Sequence, residues 1–90
     1  MGTYMNITGK LLKNNRIINI EMVTNDDDSL NMTKQLEDCL LNLCKLFNIP
    51  IPIWMSKNTK EFVHFGKTFF TSDQFIEKVN FDKFVIESDR

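Results

Sequence analysis

Apolar and polar residues alternate along the first part of the chain in two runs. Met5, Ile7, Gly9 and Leu11 share one face of Met5–Lys13, and Ile18, Ile20 and Met22 share one face of Arg16–Thr24. That two-residue period belongs to strands. Lys13, Asn14, Asn15 and Arg16 join the runs, and asparagine accepts the left-handed conformation that the centre of a tight type I′ turn demands. A β-hairpin is therefore predicted. Ile17 and Val23 fall on the opposite face of the second strand, so that face is expected to be partly covered.

The period then changes. After the polar stretch Asn25–Ser29, Leu36, Leu40, Leu43, Cys44 and Phe47 recur at helical spacing, with Met32, Cys39 and Leu46 widening the stripe. Lys34, Gln35, Glu37, Asp38, Asn42 and Lys45 lie mostly opposite, which predicts an amphipathic helix from about Ser29 to Phe47. Asp28 or Ser29 is expected to cap it. Asn48 is suited to the left-handed position after the last turn, and Pro50 and Pro52 prevent continuation. Ile49–Met55 is read as an extended apolar connector, because residues before proline are pushed out of the helical region.

Beyond it, Ser56 or Asn58 is expected to cap a short helix to about Phe65, with Gly66 as its stop. Lys67–Phe70 is too short to assign. Thr71 and Gln74 resemble a capping box for another short helix through Val79, with Phe75, Ile76 and Val79 on its buried side. Phe81–Glu87 alternates again and reads as a C-terminal strand pairing with the hairpin. A two-stranded sheet is marginal, so a third strand is required. Together these elements predict a single α+β domain over residues 1–90, a mostly antiparallel sheet of three or four strands packed against one long helix. The alternation starts only at Met5, which makes residues 1–4 read as an added or poorly ordered leader.

Composition narrows the function classes. The chain has 90 residues, 42% of them hydrophobic and 26% charged, which is the composition of a folded globular domain. A net charge of −1 removes any global argument for a nucleic-acid or anionic-membrane protein, while leaving room for a local patch. No run approaches the ~18 apolar residues of a membrane span, and residues 1–6 contain neither the charged nor the apolar region of a signal peptide. Asn6 stands where a myristoylation signal requires Ser or Thr. A soluble, cytoplasmic protein that does not bind membranes is the expectation. Cys39 and Cys44 fit it: five residues apart on one helix they are separated by about 140°, do not face each other, and read as core thiols of a reducing compartment.

Catalytic constellations are missing from the sequence. There is one histidine, His64, and no Gly-rich phosphate loop, G-x-S-x-G or Walker motif. One His with two badly spaced Cys does not make a zinc site. Asp26, Asp27 and Asp28 offer oxygen donors, but the run lacks the alternating ligands and late glutamate of a calcium loop, and reads as helix-start electrostatics. No catalytic residue, cofactor or metal is assigned.

One stretch carries a candidate interaction surface. Between Trp54 and Phe70, Lys57, Lys60 and Lys67 are interleaved with Trp54, Phe62, Phe65, Phe69 and Phe70, opposed only by Glu61. Lysines beside exposed aromatics can hold a single nucleic-acid strand by phosphate contact and stacking. The competing reading places these aromatics in the core and the lysines on the wet faces of their elements. A chain this short needs most of its phenylalanines inside, so the core reading is preferred. Trp54, Lys57, Lys60 and Lys67 are the residues singled out.

The series Pro52, Ile53, Trp54, Lys57, Asn58, Glu61, Phe62, Lys67, Thr68, Phe70, Asp73, Phe75, Ile76, Phe81 and Asp82, with Gly9, Lys10 and Leu11 near the start, resembles a family of short proteins of low-GC Gram-positive bacteria. It covers nearly the whole chain from Met5. That family has no established activity, so the resemblance implies a bacterial cytoplasmic protein and carries over no catalytic or binding residue. Three functions follow from the sequence in order of preference. They are a small non-catalytic interaction module with an unknown protein partner or a second copy of itself, weak nucleic-acid binding through residues 54–70, and a small-molecule enzyme.

Overall fold

A computed structural model describes residues 5–88; the reading of residues 1–4 as a leader lies outside them. The hairpin forms as expected, β1 (Met5–Lys13) and β2 (Arg16–Asn25) pairing antiparallel with Lys13 opposite Arg16. Asn14 and Asn15 take φ of 54° and 64°, the left-handed pair that a type I′ turn requires. The Asp82 carboxylate accepts from the Asn14 amide at 2.8 Å and holds the turn against the far end of the chain.

The long helix α1 (Met32–Phe47) begins later than expected. Its cap is Asn31, whose side chain accepts from the Lys34 amide at 2.9 Å, rather than Asp28 or Ser29. Ser29 is occupied elsewhere: its amide and hydroxyl both donate to the Asp27 carboxylate, making a local turn that delays the helix. Asn48 ends α1 in the left-handed conformation (φ 56°), and its amide and that of Ile49 close on the last carbonyls. Met32 and Leu46, expected to widen the buried stripe, are exposed.

In the second half, α2 (Ser56–Phe65) forms between the expected limits. Neither expected residue is its N-cap. Met55 is, and Asn58 reaches back from inside the first turn to accept from the Met55 amide at 2.9 Å. Gly66 stops the helix at φ 70°. Lys67–Thr71, which periodicity left unassigned, is strand β3. The helix expected from Thr71 to Val79 does not form. Only a 3-10 turn, Ser72–Gln74, follows β3, and Phe75 is extended. Gln74 turns inward to bond the Ile53 carbonyl and Asn58, Phe75 packs edge-on against Phe81, and Ile76 is left 88% exposed. The expected capping box does form, the Gln74 side-chain oxygen accepting from the Thr71 amide at 3.2 Å while its NH2 makes the inward bonds, but these long-range contacts end the helix after one turn. The chain ends in β4 (Lys83–Ser88).

The sheet order is β2-β1-β4-β3, all neighbours antiparallel. Met5, Ile7 and Leu11 of β1, Phe84 and Ile86 of β4 and Phe70 of β3 meet Cys39, Leu40, Leu43, Cys44 and Phe47 of α1 in one core. Gly9 sits where α1 crosses most closely: a Cβ there would lie 2.9 Å from Leu43. Glycine is what lets helix and sheet approach. The architecture is the small α+β domain that the periodicity implies, with β3 as its fourth strand. No helix among the described residues is long and apolar enough to cross a membrane.

Candidate interaction surface

The register builds the surface. Because β1 turns Met5, Ile7, Gly9 and Leu11 toward α1, its alternate residues Thr8, Lys10 and Leu12 face the other way. Pairing carries that outer face across the sheet in three rows. Met22, Thr8, Glu87 and Lys67 form one, Ile20, Lys10, Val85 and Phe69 the next, and Ile17, Leu12, Lys83 and Thr71 the third. No described helix packs on this face.

A β-bulge decides what β2 contributes. Leu11 pairs with Asn19 and Leu12 with Ile17, so Ile18 is an extra residue without a partner. Alternation counted straight through the strand would put Ile17 opposite to Ile20 and Met22. The bulge resets it, placing Ile17 with Ile20 and Met22 on the outer face, while Val23 is the apolar residue of β2 that turns inward against the core. Ile17, Ile18, Ile20 and Met22 are 50%, 53%, 50% and 63% exposed, so the partial cover expected for Ile17 does not exist.

The two edges of the sheet differ. Along β3, α2 closes the edge: the Asn58 side chain donates to the Phe69 carbonyl at 3.0 Å and to the Thr68 hydroxyl at 2.8 Å. Thr68 in turn donates to Glu61 at 2.6 Å, and Gln74 donates to Asn58 at 3.1 Å. This buried network ties the connector, α2 and β3 together with its hydrogen bonds satisfied, which makes it structural. Among the described residues, strand β2 has a neighbour only on the β1 side. Its other edge is open.

The stretch 54–70 separates into three environments. Phe62 and Phe70 are core; Trp54 is half-buried, its ring 5.6 Å from Phe70 and its indole N–H donating to Thr59 at 2.7 Å. Phe65 points to solvent with His64 beside it. Only Phe69 reaches the outer sheet face, where Lys57 and Lys83 lie over its ring at 5.3 and 4.8 Å from the centroid. Lys67 stands in the neighbouring row, and Lys60 is exposed on α2. Of the four residues singled out in sequence, the structure brings Lys57 and Lys67 to the sheet face and takes Trp54 elsewhere. It adds Lys10 and Lys83, which lie far away along the chain. Glu87, 4.0 Å from Lys10, is the acidic residue of the three rows.

Trp54 lines a different feature, an open groove of about 390 Å³ between the two helices whose walls include Leu36, Leu40, Phe62 and Val63. It is apolar and presents no convergent ionisable groups. Among the described residues no three His, Cys, Asp or Glu side chains gather as a metal site needs. Asp27 is held below the usual carboxylate range by its hydrogen bonds from Ser29. Cys39 and Cys44 are free, buried thiols whose pKa is pushed up to about 11 by desolvation, the opposite of an activated nucleophile. Comparison with known proteins finds no matching family model, curated protein or solved structure.

Proposed function

We propose that this chain is a small non-catalytic interaction module that binds a protein partner through the open β2 edge and the apolar end of the outer sheet face. The observation that carries the reading is the set Ile17, Ile20 and Met22, exposed by half or more on a strand whose outer edge has no neighbour among the described residues. An apolar strand with an open edge is a template for pairing and the recurring site of strand addition. The two cysteines, whose thiols burial holds protonated, favour binding over thiol chemistry. A bacterial cytoplasmic setting belongs to the same reading, supported by the two reduced thiols and the resemblance described above. Affinity capture from bacterial cytosol, with and without nuclease, tests it. Nuclease-resistant capture that Met22→Lys abolishes is the expected result; turnover lost on a single substitution, or capture indifferent to β2, rejects it.

A second reading rests on the other end of the same face. Lys10, Lys57, Lys67 and Lys83 surround Phe69 with Glu87 as the opposing charge, an arrangement suited to a single nucleic-acid strand. Salt-sensitive binding of single-stranded oligonucleotides, weakened by Lys83→Ala and Lys67→Ala, is its signature. Affinity unchanged in both variants rules it out.

A further inference from the structure

The partner of β2 follows from how the sheet is closed. One edge, β3, is covered by α2 and its Asn58 bond, whereas β2 offers ten residues without proline and with only Arg16 and Glu21 charged. Natural edges are blunted by shortness, proline, lysine or cover. Here only the bulge near the turn does so, and it leaves Asn19 to Asn25 regular. We propose that β2 pairs antiparallel with β2 of a second copy of this chain, about a two-fold axis centred on Ile20. This deepens the interaction-module reading and rests on it.

Three arguments select a second copy and this register. A two-fold axis perpendicular to the sheet keeps each face on its own side, so only residues of equal parity can pair, and the axis passes through one residue. Centred on Glu21, it would set two carboxylates directly opposite, which is repulsive. Centred on Met22, it would leave Ile18 without a cross-strand partner, and centred on Asn19 it would place the bulged residue beside the axis. Centred on Ile20, it sets Ile20 against Ile20, Ile18 against Met22, and Glu21 against Asn19, whose side-chain amide donates to the carboxylate. Apolar meets apolar and the one acidic side chain gains a donor.

The third argument is closure. Joining two β2 strands makes an eight-stranded sheet whose outer strands are both β3, each already covered by α2. Both exposed edges are consumed at once, and the assembly stops at two copies instead of growing into a fibre. A heterologous partner strand would need its own covered far edge to achieve this; the chain supplies one itself.

Sedimentation or light scattering on the full chain, with the variants Ile20→Lys and Ile20→Cys, tests the proposal. The wild type is expected at twice the 10.6 kDa chain mass. Ile20→Lys, which opposes two ammonium groups at the axis, is expected to weaken self-association about tenfold or more with unchanged circular dichroism. Met22→Lys serves as a second variant should Ile20→Lys not fold. Under mild oxidation Ile20→Cys should form a covalent dimer, and Val63→Cys, exposed on α2, should not. The native thiols are buried and do not interfere. A wild type that stays monomeric overturns the self-pairing, as does a dimer that survives both lysine variants or cross-links through position 63 instead of 20. A monomer that still captures a different protein through β2 leaves the module reading standing while the second copy is excluded. A monomer that captures nothing removes both.

Discussion

Asn58 satisfies four groups with one buried side chain: it accepts from the Met55 amide and Gln74, and donates to Thr68 and the Phe69 carbonyl. Asn58→Ala would leave several of these buried and unpaired, and each unmet group costs about 1–3 kcal/mol. The expected loss, read by urea unfolding, is about 2–4 kcal/mol, large for a domain of this size. Asn58→Asp should be no milder, because a carboxylate cannot donate to the Thr68 hydroxyl and the Phe69 carbonyl. The two cysteines act through protonation. With burial pushing both thiols up to about 11 from the 9.0 of an exposed thiol, the folded state retains protons that the unfolded chain releases. Their contribution is therefore fully present below about pH 9 and is lost as pH rises toward 11. A Cys39→Ala/Cys44→Ala variant should lose this part of the alkaline slope. In the native protein at pH 8, thiol reagents should react only as fast as the domain opens.

At the level of elements, Gly9 controls the distance between α1 and the sheet. Gly9→Ala would press a methyl group to 2.9 Å from Leu43 and 3.1 Å from Phe47, both core side chains with little room to move. Overpacking of this kind costs about 1–3 kcal/mol. The penalty should shrink in a Leu43→Ala background, and a double-mutant cycle measures that coupling. Much of the framework was legible in sequence, since the hairpin, the Asn14–Asn15 turn, α1 and its Asn48 stop each rest on local chemistry. What failed did so for a non-local reason. The capping box at Thr71 and Gln74 forms, but the same Gln74 side chain also donates to Ile53 and Asn58, more than a dozen residues upstream, and the chain leaves the helical path after one turn. Strand β3 was hidden because five residues, with Phe69 and Phe70 adjacent, carry no clear period. The surface was the least legible part. Lys57, Lys67 and Phe69 come from the stretch that drew attention, but Lys10 and Lys83 join them only through strand pairing. The position of Ile17 depends on a bulge that no alternation reveals.

For the molecule as a whole, size and edge chemistry act together. A chain of 90 residues buries only about 60–65% of its unfolded surface, so its own stability is modest and any association of the native state shows directly in unfolding. If β2 pairs with a second copy, unfolding converts one dimer into two chains, and each tenfold rise in concentration adds about 1.4 kcal/mol per dimer. Spread over two such chains, that shifts the Tm by about 3–5 °C per tenfold. The Ile20→Lys variant should melt lower than the wild type and show no concentration dependence. Both differences should close as the wild type is diluted below its dissociation constant, because the lysine sits at a half-exposed position and takes nothing from the core of the single chain. A wild-type Tm independent of concentration would mean that the open edge is left for another partner. A variant that melts lower even at high dilution would mean that Ile20 contributes within one copy instead of between two.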